Sequence, residues 1–151
     1  MMFDLRDLYQ QVIVDHNKSP RNFGRLEPCS HEADGYNPLC GDKLHVYLQV
    51  GEDGKIEDVK FEGEGCAISM ASASLMTEAI KGKSVAECRQ LFEDFQHLVT
   101  SDLSEAPDEK RLGKLAVLAG VREFPSRIKC AILCWHTMKS AVDGGDTATT
   151  E

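Results

Sequence analysis

Between residues 44 and 50 the chain alternates without a break. Leu44, Val46, Leu48 and Val50 fall on one side, and His45, Tyr47 and Gln49 on the other. A period of two is that of a strand with one buried face, and it excludes an all-helical fold. The GEDG that follows is a hairpin signal, so residues 55–62 return as the partner strand. In that return Ile56, Val59 and Phe61 change parity once, which predicts a bulge near Glu57 and Asp58.

Around the hairpin the spacing turns helical. Residues 4–17 carry Leu5, Leu8, Tyr9, Val12, Ile13 and His16 at helical intervals, and NKSPRNFG ends the run with Pro20 and Gly24. ISMASASLMTEAIK repeats the pattern with Ile68, Ala71, Leu75 and Ala79, and Gly82 closes it. SVAECRQLFEDFQHL opens on Ser84 and Glu87, a capping-box pair, with Val85, Cys88, Leu91, Phe92 and Phe95 as its stripe. The acidic SDLSEAPDE reads as an exposed loop, and a short apolar segment spans 112–118. A last helix starts after Pro125, with Ile128, Ile132, Trp135 and Val142 on its main apolar face. EPCSHEADGYNP is expected to be a polar connector, and residues 143–151 a disordered tail behind a single domain of residues 1–142.

Charge and hydropathy narrow the function. Lys and Arg number 17 against 25 Asp and Glu, a net charge of −8, which argues against a nucleic-acid partner. No apolar run approaches the roughly 20 residues that span a bilayer, so no membrane association is expected. FDLRDLYQQVIVDH lacks the basic-then-apolar order of a secretory signal, and the chain reads as cytoplasmic. In that compartment six cysteines are not a disulfide framework. Metal binding, thiol chemistry and plain packing compete for them.

Cys88 lies on an apolar stripe and reads as a packed thiol. Cys66, in GEGCAIS, sits between strand and helix, where glycines 63 and 65 allow a tight turn and a helix N-terminus favours a thiolate. Cys130 falls in the first turns of the last helix and projects away from the Ile128–Ile132–Trp135 stripe, beside Arg127 and Lys129. Cys40 lies in NPLCGD, where Gly41 would let Cys40 and Asp42 turn toward one ion. Thiolates hold zinc strongly, and one carboxylate would be a harder, more exchangeable ligand. Spacing leaves two readings open, a Cys40/Asp42/Cys66/Cys130 metal site or scattered thiols, because no CxxC pair anchors the set. Cys134, one turn past Cys130, reads as packing and Cys29 as a thiol without a role. His16 reads as a packed histidine. His45 is expected to face solvent, and His31, His97 and His136 to lie on the surface.

NPLCGD, GEGCAISMASASLM and FPSRIKCAILCW resemble, in order, the three cysteine motifs of the U-type iron–sulfur cluster assembly proteins, the family of IscU and of the NifU N-terminal domain. DHNKSPRNFG is similar to that family's N-terminal segment, and the similarity runs from about residue 5 to residue 142. Lys129 stands where IscU has a histidine before the third cysteine, and the segment from about 102 to 122 looks longer. Both departures resemble the SufU branch. The resemblance implies an α+β fold, a small antiparallel sheet of about three strands with helices packed against it. It also implies zinc held by Cys40, Asp42, Cys66 and Cys130, with Cys40 accepting persulfide sulfur from a SufS-type cysteine desulfurase. Arg127, close to Cys130 in the sequence, reads as assisting by steering an anionic sulfur donor, with a merely solvated side chain as the alternative. The alternative it implies is a non-catalytic scaffold, on which the same residues hold a transient [2Fe–2S] cluster for Fe–S acceptor proteins. A purely structural zinc site is a third reading. The loop position of Cys40 speaks against it, since structural sites are closed.

Overall fold

A computed structural model of the protein describes residues 5–150. In chain order it runs α1 (Leu5–Lys18), β1 (His31–Asn37), β2 (Asp42–Val50), β3 (Ile56–Glu64), α2 (Ala67–Ile80) and α3 (Val85–Thr100). Then follow α4 (Glu109–Leu112), a 3-10 helix (Gly113–Glu123), α5 (Pro125–Val142) and β4 (Thr147–Thr149). Asp4, where the periodicity starts the first helix, and Glu151, at the end of the expected tail, lie outside the described residues.

The sheet order is β3-β2-β1-β4, antiparallel across the first three strands and parallel between β1 and β4. Leu44, Val46 and Leu48 point inward as the alternation requires, opposite Val59 and Phe61 of β3. Gln49 pairs with Asp58 and Val50 with Ile56, so Glu57 is the extra residue of the expected bulge. Ser84 and Glu87 form the capping box of α3.

Helix α5 is the axis of the molecule. It packs on β1 and β2, with α2 and α3 against its other sides. It is therefore buried nearly all round, from Cys130 to Trp135, rather than along one stripe. Trp135 stacks on Phe95 of α3 with ring centroids 4.8 Å apart. Small residues let α2 approach closely, and two of its buried hydroxyls bond to main-chain oxygens: Ser72 Oγ donates to Ala131 O at 2.5 Å, and Thr77 Oγ1 to Ser74 O at 2.7 Å, whereas Ser69 Oγ has no partner among the described residues. No helix among the described residues is long and apolar enough to cross a membrane.

Two elements depart from the sequence reading. The connector contains β1, whose inward residues Ala33, Gly35 and Asn37 are small or polar and give no apolar alternation. They are small because α5 lies directly on them. A Cβ at Gly35 would overlap the Thr137 side chain. The tail contains β4: after α5 the chain reverses at Gly144 (φ +84°), and Gly145 N–H donates to Ser140 O at 2.7 Å. Thr147 then pairs with Asp34. Backbone ladder bonds hold this strand, and no apolar side chain announces it.

His16 is buried as expected, with Nδ1 2.7 Å from Ser74 Oγ. Burial pushes its pKa below 6.5, so the folded state favours the neutral ring. Above pH ~6.5 the ring is neutral in both states. As pH falls below that value the unfolded chain takes up the proton first, and stability drops. The urea midpoint of His16→Gln is expected to fall less than that of the unsubstituted protein between pH 7 and pH 5. Equal slopes would show that His16 carries none of this dependence.

Candidate functional site

Three elements converge at one end of the sheet. Cys40 sits at the tip of the β1–β2 turn, which is closed by Gly41 N–H donating to Asn37 O at 2.8 Å. Gly41 adopts φ +73°, a conformation that lets this turn close with only residues 38–41 between the strands. Asp42 opens β2 and is buried, whereas Cys40 is exposed. Cys130, one turn into α5, is buried and lies with its sulfur 3.3 Å from that of Cys40. The ligand atoms of Cys40, Asp42 and Cys130 all lie within 4.8 Å of one another. That is the spacing at which two sulfurs and a carboxylate oxygen can meet a single ion.

Cys66 stands beside this cluster, its thiol next to that of Cys130, outside the set whose ligand atoms lie within 4.8 Å of one another. It is the N-cap of α2, where its sulfur accepts the Ser69 N–H at 3.4 Å, while its own N–H donates to Asp42 Oδ1 at 2.9 Å. The GEG before it is dictated by approach. Gly63 (φ +139°) has Lys43 O where a Cβ would go, and a Cβ at Gly65 would fall 2.7 Å from Asp42 Oδ1. Gly65→Ala is thus expected to displace the Asp42 carboxylate and to weaken divalent-metal binding about 10-fold or more, with the fold retained. Chelator competition and circular dichroism measure the two effects. Unchanged affinity would mean that the carboxylate has room to move without consequence.

Burial, with the Cys40 and Cys66 thiols beside it, pushes the Cys130 thiol far above its ordinary range. Without a cation it is therefore a neutral thiol. The donor set fits a soft divalent ion, which would keep these sulfurs deprotonated. Asn37, which nothing in the spacing singles out, donates from Nδ2 to Asp42 Oδ2 at 3.0 Å and to Cys130 Sγ at 3.4 Å. Only the three-dimensional closure of the turn reveals it.

The cluster opens into a cleft of about 1100 Å³ whose walls include Cys40, Cys66, Cys130, Tyr9, Phe124 and Arg127. The Arg127 guanidinium lies 4.6 Å from the centre of the Phe124 ring. The Tyr9 hydroxyl is buried in the wall beside Arg127, and burial, partly offset by that guanidinium, raises its pKa. In its wall Leu103 (60% exposed) and Phe124 (42%) offer apolar surface, and Leu39 (62%) is exposed next to Cys40 in the turn.

The remaining thiols and histidines lie elsewhere. Burial pushes Cys88 up to about 11 and Cys134 to about 12, which marks both as inert packed thiols. Cys29 is half-buried, and its thiol donates to Glu32 Oε2 at 3.1 Å. His45 is not turned freely to solvent. Its Nδ1 lies 2.5 Å from Asp34 Oδ1 and its Nε2 2.9 Å from Glu32 Oε1, carboxylates that the overlooked strand β1 supplies. His136 is likewise partly covered, edge-on to Phe92.

A mainly antiparallel sheet with helices packed against it, carrying a mixed thiol–carboxylate cluster on a hairpin tip and a central helix, defines a small α+β domain with a candidate metal site. The profile of the NifU-like N terminal domain matches residues 8–131, and the chain belongs to that family. The zinc-dependent sulfurtransferase SufU of Bacillus subtilis is 44% identical over 146 residues, covering 95% of this chain and 97% of the relative. The iron-sulfur cluster assembly scaffold protein IscU of Streptococcus pyogenes is 43% identical over 138 residues, 91% of this chain and 84% of the relative. Among solved structures, a candidate iron-sulfur cluster assembly scaffold protein for the SUF system from Fervidobacterium islandicum AW-1 matches with a TM-score of 0.81. It is 34% identical, and the match covers 91% of this chain and 98% of that one.

Proposed function

We propose that the protein works in iron–sulfur cluster assembly as a sulfur carrier, taking persulfide sulfur onto Cys40 from a SufS-type cysteine desulfurase at a zinc site. The observation that carries the reading is the asymmetry of the cluster. One exposed thiol on a turn stands 3.3 Å from a buried thiol on the central helix. A purely structural site would bury all its ligands. Cys40, Asp42 and Cys130 would hold the ion, with Cys66 at hand from the cap of α2. Bound there, zinc would supply the positive charge that keeps the thiols ionised. The zinc-dependent relative of Bacillus subtilis supports this choice of metal.

In the transfer itself the Cys40 thiolate attacks the outer sulfur of the donor's persulfide. A new S–S bond forms on Cys40, the donor's S–S bond breaks, and the donor cysteine leaves as a thiolate. The exposed turn gives Cys40 access, and the exposed apolar side chains of Leu39 in the turn and Phe124 in the cleft wall fit contact with a protein donor. Arg127, in the cleft wall, lies where it can attract the anionic persulfide.

A second reading, a scaffold on which a [2Fe–2S] cluster is built as cargo, is favoured by the width of the cleft and by the third sulfur, Cys66, in its wall. The IscU relative supports it. One experiment separates the two. Zinc-loaded protein is mixed anaerobically with a SufS-type desulfurase and cysteine, without iron, and Cys40 is examined by peptide mass analysis. Added sulfur on Cys40 with zinc retained is the expected result. No transfer, followed by ready cluster formation once iron is supplied, would move the protein to the scaffold class.

A further inference from the structure

Asn37 closes β1, and its side chain is wholly buried beneath the cluster. Its amino group serves two acceptors, Asp42 Oδ2 and Cys130 Sγ. The other carboxylate oxygen of Asp42 takes the Cys66 N–H, so each oxygen has one donor and keeps a lone pair free. The carboxylate also fixes which way round the amide sits, because a flipped Asn37 would set its oxygen against Asp42. The buried Oδ1 then needs a donor of its own, and the C-terminal strand provides it. Thr150 Oγ1 donates to Asn37 Oδ1 at 2.9 Å, while Thr150 N–H donates to Tyr36 O at 3.1 Å.

We propose that Asn37 is a positioning residue for the Cys40/Asp42/Cys130 site and that the C-terminal strand is the latch that holds it in place. Docking of residues 146–150 and occupancy of the site by a divalent ion then reinforce each other. The inference rests on the metal-site reading above. Its physical basis is the pairing of like charges: an ionised thiol and a carboxylate repel, and a neutral amide that donates to both holds them at the spacing a metal requires. Coupling is reciprocal, so whatever the latch adds to metal affinity the metal returns to the latch.

The test uses the full chain, titrated with cobalt(II) and zinc(II) under chelator competition. Asn37→Leu removes donor and acceptor together and is expected to lower affinity by about 10–100-fold. Because that site is buried, Thr150→Val, Thr150→Ser and a chain ending after Gly145 keep the test independent of core folding. Thr150→Val and the shortened chain are expected to lose about 5-fold and to alter the cobalt–thiolate absorption. Thr150→Ser, which keeps the hydroxyl, is expected to restore both. Zinc should also slow hydrogen exchange at 147–150 in the unsubstituted protein. A strand with only a structural role would lower the unfolding midpoint of the metal-free variants and leave affinity and absorption unmoved, which would overturn the inference. Failure of the unsubstituted protein to bind either ion would overturn the metal-site reading and this inference with it.

Discussion

Cys40→Ala is expected to abolish persulfide acceptance, lowering sulfur transfer by on the order of 100-fold or more, the scale on which removal of a nucleophile acts. Its effect on the stability of the metal-free protein should stay within about 0.5 kcal/mol, because Cys40 is exposed at a turn tip outside the core and the Cys130 thiol it accepts from also reaches Ser126 O. The separation follows from its position between Pro/Leu and Gly on a four-residue turn (residues 38–41), outside the cluster of residues that forms the core. Peptide mapping of the sulfur acceptor, with transfer rates for both proteins, measures the result. Transfer at the unsubstituted rate in Cys40→Ala, with the added sulfur on Cys66, would replace Cys40 as acceptor by the thiol at the α2 cap.

Zinc is expected to raise the melting temperature by about 10 °C. A ligand present at a thousand times its dissociation constant contributes about 4 kcal/mol. In a chain of this length each kcal/mol is worth roughly 2–4 °C. Cys130→Ser should remove most of that shift, since Cys130 carries the cluster's connection to α5 and through it to the whole core. Cys88→Ser, far from the cluster on α3, should lower the baseline stability and leave the zinc shift intact. Differential scanning calorimetry of the metal-free and zinc-loaded forms resolves the pair. A zinc shift that survives Cys130→Ser would place the ion elsewhere.

Periodicity was a reliable guide wherever one face of an element meets the core. It gives the β2–β3 hairpin, the bulge at Glu57, and α1, α2 and α3 within a residue or two. It fails where an element is buried on several sides or held by backbone alone. Helix α5 is buried on every side from Cys130 to Trp135, so Cys130 projects off the expected stripe and is nonetheless buried. Strand β1 has Gly35 where α5 presses closest, and β4 is carried by ladder bonds to β1. The cysteines and Asp42 were visible as residue types, and the family resemblance named them. Their distances were not visible, because residues 40 and 130 meet only once β1 and α5 have docked. The same docking sets Cys66 beside Cys130 and its N–H on Asp42, and it brings Asn37 and, through it, Thr150 to the cluster.

The turn and the helix that share the cluster differ in how freely evolution can edit them. Lengthening or recoding a short surface turn perturbs stability little, since closure entropy grows slowly with length. A substitution in α5 disturbs packing on every side of the molecule. New chemistry at this end of the sheet can therefore arise through residues 38–41 alone, while the half of the site on α5 stays constant. Descendants of such a chain can change the turn without first solving the fold again.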